Sequence, residues 1–409
     1  MITSSGFGHR NGGNAGAPVR LELDPEDVRR TLAPLERASM LPPRAFTAQT
    51  VFEWEIENVF TDGWICFGHA SQVSGQGRYL MREIGDDSVV VVCGEDGEVR
   101  AFLNVCRHRG ARIVEDGEGE VKRRLQCPYH AWSYGLDGSL LAAPHMDEIE
   151  DFDFSCFGLL PVRLALVGGL ILVNLSGDAD EPETRVGDLV EHLDRYRNGD
   201  LVSGGRVDYT VEANWKGIAE NYNECLHCPG VHPELNALSN YQSGDDMVGA
   251  GSWCGGSMYL TAEGAITMGK DGGHRSNRPR IEGLGPEDEK AILYFALFPN
   301  ALISMHPDYV MLHTLYPRGP GLTEVVCEWF FEKRAVDAEG FDPSDAIEFW
   351  DTTNRQDWYV CELTQKGITA RGYSAGRYST HEGTVHAFDS MIATIYLEAL
   401  EQPVAEVAA

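Results

Sequence analysis

An α+β chain of two unlike parts is what the sequence predicts, a small all-β module followed by a larger domain in which long strands alternate with helices. Three observations carry that prediction. Residues 63 to about 175 are crowded with short apolar runs and glycine turns, long helical patterns concentrate after residue 204, and 409 residues exceed what one domain ordinarily holds.

The elements follow in order. Residues 1–18 are rich in Gly, Ser and Asn without an apolar run, and read as a disordered leader carrying no secretion signal. Residues 19–55 form an N-terminal helical segment expected to pack on the larger domain, and Pro43 to Val59 read as one helix. The all-β module is placed at 56–175. Within it Val89 to Cys93 is an apolar strand ended by Gly94-Glu95-Asp96-Gly97, Leu136-Asp137-Gly138-Ser139 is a hairpin turn, and Leu164 to Leu175 is a further apolar strand. Residues 176–409 make the second domain. Helices are expected at Glu181 to Arg197, Asn214 to His227, Asp345 to Gly367 and Val385 to Leu400, with long strands at Tyr309 to Tyr316 and Glu324 to Phe331.

Composition excludes several function classes. A formal charge of -30, from 63 acidic against 33 basic residues, argues against nucleic-acid and anionic-membrane partners. No apolar run approaches the ~18 residues that span a bilayer, so a cytoplasmic protein is expected. Ten cysteines in so long a chain do not imply a disulfide scaffold and suit a reducing compartment. One stretch runs against the overall charge: Arg100, Arg107, Arg109, Arg112, Lys122, Arg123 and Arg124 outnumber Glu115, Asp116, Glu118 and Glu120. It reads either as a docking patch for an acidic redox donor or as arginines bonded to loop carbonyls.

That basic stretch holds the most specific motif. Cys106-Arg107-His108 and Cys127-Pro128-Tyr129-His130 each offer one thiolate and one imidazole from a tight loop. Zinc sites commonly pair like with like, whereas a Rieske [2Fe-2S] cluster gives one iron two thiolates and the other two imidazoles. A zinc staple is the competing reading. With Trp132, Tyr134 and Gly135 after the second couple, the segment resembles the Rieske domain.

A second group of ligand-type residues lies in Glu220-Asn221-Tyr222-Asn223-Glu224-Cys225-Leu226-His227-Cys228-Pro229-Gly230-Val231-His232. His227 and His232 are five apart, and Pro229-Gly230 is expected to break the helix between them, so that both grip one metal. With a carboxylate from elsewhere they make a 2-His-1-carboxylate triad, the usual Fe(II) site for O2 activation. Two other readings stay open: zinc on Cys225 and Cys228 with His232 nearby, or histidines serving only as caps and core groups.

With both motif sets in this order, the chain resembles the oxygenase component of Rieske non-haem iron oxygenases from about Phe52 to the final helix. The resemblance implies a helix-grip catalytic domain, an antiparallel sheet gripped by helices. It makes Cys106, His108, Cys127 and His130 the cluster ligands, and His227, His232 and Asp357 the ligands of a mononuclear Fe(II). Asp351, Glu348 and Glu362 compete with Asp357 on the same helix. Glu224 takes the place of the acidic residue that joins the cluster of one subunit to the iron of its neighbour, usually an aspartate. A homotrimer follows, reduced by an external NAD(P)H-dependent reductase or ferredoxin and using O2 on a small-molecule substrate.

Gly251 to Met258, Phe298-Pro299-Asn300, Met305 to Tyr309 and Gly376 to Ser379 look like the glycine betaine, stachydrine and choline monooxygenase branch. N-demethylation of a quaternary ammonium compound is then expected, with Trp253, Tyr259, Tyr294, Phe298 and Tyr309 as candidate ring faces for the cation. The alternatives are an aromatic-ring or aryl-ether oxygenase and, from another class, an electron carrier or structural metal protein.

Overall fold

The computed structural model describes residues 19–273, 275 and 278–402, so the expected leader lies outside the described residues. The all-β module holds β1 (Ile65–His69), β2 (Arg78–Ile84), β3 (Asp87–Cys93), β4 (Val99–Leu103), β5 (Gly117–Glu120), β6 (Arg124–Gln126), β7 (Ser133–Gly135), β8 (Leu140–Ala142), β9 (Pro161–Val167) and β10 (Leu170–Asn174). Seven of these form one antiparallel sheet in the order β1-β10-β9-β4-β3-β2-β5, and β6-β7-β8 form a second. The turn at Gly138, with φ 83°, joins β7 to β8 as its sequence suggests.

The second domain is built on a seven-stranded antiparallel sheet. Its strands are β11 (Leu201–Val211), β12 (Asp246–Val248), β13 (Trp253–Tyr259), β14 (Ala291–Leu297), β15 (Ala301–Met305), β16 (Val310–Gly319) and β17 (Leu322–Glu332), in the order β11-β17-β16-β15-β14-β13-β12. Helix Ser344–Ile368 packs on β11 and on helix Trp215–Tyr222, and helix Gly383–Glu401 packs on β12, β13 and Trp215–Tyr222. The fold is therefore α+β, a sheet gripped by helices beside an all-β module.

The two parts share a core. Trp64, Cys66, Leu170 and Leu172 of the module pack with Leu189, Phe295 and Leu312 of the second domain. Asn300 pins the joint, because its side chain accepts from the Cys66 N–H and donates to the Cys66 carbonyl, both at 2.9 Å. The Phe298-Pro299-Asn300 stretch thus serves the joint between sheets. A buried amide that satisfies two backbone groups of an otherwise unpaired edge is a strong local constraint.

The N-terminal segment is held by a buried ion pair. Lys216 Nζ meets Glu55 Oε1 at 2.6 Å with neither side chain exposed, Trp215 Nε1 donates to Glu55 Oε2 at 2.9 Å, and the Tyr396 hydroxyl donates to Glu55 Oε1.

Three expected helices differ from what forms. Pro43 to Val59 divides into Arg44–Thr47 and Gln49–Glu55, separated by Ala48 in extended backbone, and then widens into a π turn at Ile56–Thr61. Glu181 to Arg197 divides into Pro182–Val186 and Leu189–Arg195 at Gly187, whose φ is 56°. A Cβ there would lie 1.4 Å from the Ala250 carbonyl oxygen, so the chain can pass only as glycine. The helix expected to run from Asn214 to His227 stops at Tyr222. Pro229 does not break a helix here. It stands in the first turn of a new one, Cys228–Val231, where its missing N–H costs nothing.

Candidate active site

The ligand-type residues of the second domain converge because of that early break. Helix Trp215–Tyr222 is capped by Asn214, whose side chain accepts from the Lys216 N–H, and the chain then turns through Glu224 into the short helix Cys228–Val231. His227 stands just before that helix and His232 just after it. One helical turn lies between them, which brings their ring centroids to 5.0 Å.

Asp357 comes from helix Ser344–Ile368. Its Oδ1 lies 2.7 Å from His232 Nε2 and 3.2 Å from His227 Nε2, and the ligand atoms of all three residues lie within 4.8 Å of one another. The other nitrogen of each ring is engaged outward. His227 Nδ1 donates to Glu224 Oε1 at 2.6 Å, and His232 Nδ1 donates to Gln356 Oε1 at 2.8 Å. Both Nε2 atoms are thereby aimed at one point beside a carboxylate, the arrangement that a divalent cation requires.

Electrostatics agrees with that fit. Burial resists protonation of His227, but hydrogen bonds to Asp357 and Glu224 outweigh it and raise its pKa to about 9. Burial tends to raise the Asp357 carboxyl, and the two imidazoles hold it below its ordinary value instead. The pocket is one in which positive charge is favoured. Asp351 and Glu348 are engaged elsewhere, with Tyr209 and Arg355 for the first and Arg275 for the second, and Glu362 accepts from the Glu212 N–H. Cys225 and Cys228 are joined by a disulfide, their Cα atoms 5.0 Å apart, so the zinc site on two free thiolates does not form here.

The four residues of the first motif come together at the end of the all-β module. Each cysteine opens a turn that closes four residues on: Gly110 N–H donates to the Cys106 carbonyl at 3.0 Å, and Ala131 N–H to that of Cys127 at 3.2 Å. The closing residues adopt φ of 73° and 58°, so the loops are local copies of one another. Cys106 and Cys127 are buried, whereas His108 and His130 are exposed with ring centroids 4.8 Å apart. Trp132 stacks on His108 at 5.0 Å, and the Tyr134 hydroxyl lies 3.3 Å from Cys106 Sγ while accepting from the Arg107 N–H at 3.0 Å. Burial pushes the Cys106 thiol above its usual pKa, so a thiolate at that position needs compensating positive charge. Two inner sulfurs and two outer imidazoles fit a Rieske cluster.

Comparison with known proteins settles the family. Residues 63–153 match the Rieske [2Fe-2S] domain, and residues 199–398 match the ring hydroxylating alpha subunit catalytic domain. The glycine betaine monooxygenase oxygenase subunit of Chromohalobacter salexigens is 32% identical, covering 88% of this chain and 87% of that one. The chain belongs to the Rieske oxygenases. Choline monooxygenase of Arabidopsis thaliana is 30% identical over 91% of this chain and 85% of its own. The quaternary ammonium Rieske monooxygenase CntA, in complex with L-carnitine, superposes with a TM-score of 0.77 at 25% identity, covering 92% and 99% of the two chains. As a Rieske oxygenase the chain is an iron enzyme whose cofactors are a [2Fe-2S] cluster and a mononuclear non-haem iron. Among the described residues no helix is long and apolar enough to cross a membrane.

The cavity beside His227, His232 and Asp357 is walled by Tyr222, Tyr294, Trp350 and Trp358, with Met258, Met268 and Met311. Of the five aromatics that sequence reasoning singled out, Tyr294 alone lines it. Trp253 donates to Asp188 Oδ1 at 2.8 Å, Phe298 packs on Trp215 and Phe388, Tyr309 donates to the Met268 carbonyl at 2.6 Å, and Tyr259 is exposed. Sequence reasoning missed Gln356, although an amide next to a candidate ligand is a signal for such an orienting role. It missed Tyr222, Trp350 and Trp358 because helix aromatics announce only that a face is buried.

Three residues of the basic stretch have individual partners. Arg100 pairs with Asp96 at 2.7 Å, Arg112 pairs with Glu83, and Arg109 lies over the exposed Tyr129 ring at 5.6 Å.

Proposed function

We propose that this chain is the terminal oxygenase of a multicomponent system that takes electrons from an NAD(P)H-dependent reductase or a ferredoxin and oxidises a small quaternary ammonium compound, with N-demethylation as the expected outcome. The observation that carries this reading is the cavity wall. Four aromatic side chains surround the space beside the histidine pair, and no Lys or Arg stands among the described lining residues. A ring face attracts a desolvated ammonium group by ~0.5–2 kcal/mol, and several rings share one cation. The betaine, choline and carnitine enzymes among the relatives support the same substrate class.

The cofactors supply the redox chemistry, single electrons from the cluster and O2 activation from the iron. In this reading Cys106, His108, Cys127 and His130 hold the cluster, and His227, His232 and Asp357 hold the iron. The remaining work falls to neighbouring side chains. Gln356 and Glu224 take up the Nδ1–H of each metal histidine and so keep both Nε2 lone pairs available. Met258, Met268, Met311 and the aromatic rings keep bulk water from the reacting carbon.

Glu224 borders the substrate cavity and also a second cavity lined by Glu220, Cys361 and Gln365. We place there the docking of a neighbouring subunit's cluster loops, whose His108 and His130 are exposed, within a homotrimer. The test is O2 uptake and formaldehyde release by the reduced holoprotein with glycine betaine, proline betaine, choline and benzoate. Uptake with benzoate but with no ammonium compound refutes the substrate class.

A further inference from the structure

Cys225 and Cys228 stand inside the metal-binding loop and have no part in the chemistry above. Cys225 directly follows Glu224, Cys228 directly follows His227, and a disulfide joins them, whereas the other eight cysteines are free. Both residues line the substrate cavity. Cys228 Sγ lies 4.0 Å from His227 Nε2, the same nitrogen that stands 3.2 Å from Asp357 Oδ1.

That spacing is close to the one kept by two ligands of a single metal. A thiolate at ~2.3 Å and an imidazole at ~2.0–2.1 Å from a tetrahedral zinc stand ~3.6 Å apart. Only a thiolate binds metal in this way, so a sulfur held in a disulfide does not. The cross-link therefore leaves His227, His232 and Asp357 as three protein ligands and holds a fourth in reserve beside them. Three nitrogen and oxygen ligands with open positions suit Fe(II), and a closed tetrahedral set that includes a thiolate suits zinc.

The two sulfurs differ in access. Cys228 is 2% exposed, whereas Cys225 is partly exposed and also lines a neighbouring cavity with Gln242, Asp245, Asp246 and His381. A small thiolate entering there meets Cys225 first. Its sulfur bonds to Cys225 Sγ, the bond to Cys228 Sγ breaks, and Cys228 leaves as the thiolate beside His227; a second thiolate then frees Cys225, and the two reductant sulfurs depart as their own disulfide. Hydrogen peroxide reverses the change, the two thiols giving up two electrons and two protons while the peroxide becomes two waters. Resting on the metal triad above, we infer that Cys225 and Cys228 form a reversible redox site that selects the metal. As the disulfide it keeps the site open for Fe(II); when reduced, Cys228 becomes a fourth ligand and closes the site around zinc.

The test uses the protein with its [2Fe-2S] cluster in place, under nitrogen, with the disulfide intact and after reduction by a phosphine. Zinc and Fe(II) affinities at the mononuclear site are read by chelator competition. The zinc ligands are read by X-ray absorption at the zinc edge, where the cluster's iron is silent. Reduction should bring one sulfur into the zinc shell at ~2.3 Å. It should also tighten zinc binding by at least about tenfold, because groups that merely orient a ligand already move affinity ~10–100-fold. Cys225→Ser, which leaves Cys228 free, should show that sulfur without reductant, and Cys228→Ser should show it in neither state. The unaltered protein decides alone if a variant fails to fold. A zinc shell of nitrogen and oxygen only after reduction overturns the inference, as does a sulfur that persists in Cys228→Ser. Equal tightening for Fe(II) and zinc overturns the selection of metal. If Asp357→Asn holds zinc as tightly as the unaltered disulfide form does, the triad itself falls and this inference falls with it.

Discussion

Replacing Glu224 by Gln tests the coupling at the centre of the site. Both carboxylate oxygens are in use: Oε1 accepts from His227 Nδ1–H at 2.6 Å, and Oε2 accepts from the Leu226 backbone N–H. A carboxamide of the same shape has one acceptor oxygen, so one of the two donors must lose its partner. If the amide oxygen stays with His227, a charge-assisted bond worth ~1.5–3 kcal/mol becomes a neutral one worth ~0.5–1.5 kcal/mol. The loss of ~1–1.5 kcal/mol makes the imidazole a weaker ligand by roughly tenfold, the lower end of the ~10–100-fold range for partners of metal-bound histidines. If the oxygen turns to Leu226 instead, His227 loses its orienting bond and the upper end applies. Iron affinity is read by chelator competition, and turnover by O2 uptake at full iron loading. Turnover should fall further than affinity, because Glu224 also borders the second cavity where electrons are proposed to arrive. Unchanged affinity together with unchanged turnover would refute the reasoning.

Asp357→Asn should bind about two irons per chain instead of about three, the cluster's visible absorbance remaining; loss of the colour itself would count against separate sites. Lys216→Met strands the Glu55 carboxylate in a dry core and should cost ~3–5 kcal/mol in urea unfolding, whereas Lys216→Met with Glu55→Gln should cost clearly less than the two single changes added. A single-variant cost under ~1 kcal/mol would show the pair to be incidental. Asp389 is pushed up to about 7 by burial, beside Glu220 and with the Tyr378 hydroxyl donating to it at 2.6 Å. The folded chain therefore keeps a proton that the unfolded chain releases near pH 4, so this site's contribution is full in acid and declines as pH rises from about 4 to about 7. The melting temperature of Asp389→Asn relative to the unaltered protein should climb across that window; a flat difference would mean that Asp389 is ionised in the fold.

Local features were legible in the sequence because their causes are local. The two Cys/His loops lie within a few residues of the hydrogen bonds that close them, and the Gly138 hairpin and the apolar strand β3 follow from turn chemistry and periodicity. Expectations failed where a distant atom decides. Gly187 splits a helix because the Ala250 carbonyl, 63 positions on in the chain, occupies the space of its Cβ. The cavity wall shows the same limit. Trp253 and Tyr294 lie on neighbouring strands, with Trp253 opposite Leu297 and Tyr294 opposite Gly256, and only register and the packing of helix Ser344–Ile368 decide which ring meets the cavity.

Residue types and short spacings in this chain determined the kinds of chemistry open to it, thiolates and imidazoles in tight loops and two histidines five positions apart. Tertiary structure decided the meeting itself: Asp357, 125 residues beyond His232 and expected beside it only from the family resemblance, comes to 2.7 Å from its Nε2, and Gln356 takes up its Nδ1. The physical reason is range: turns and caps are settled by neighbours in sequence, whereas a site's third ligand and its histidine's partner are in place only after sheet and helix have been packed together.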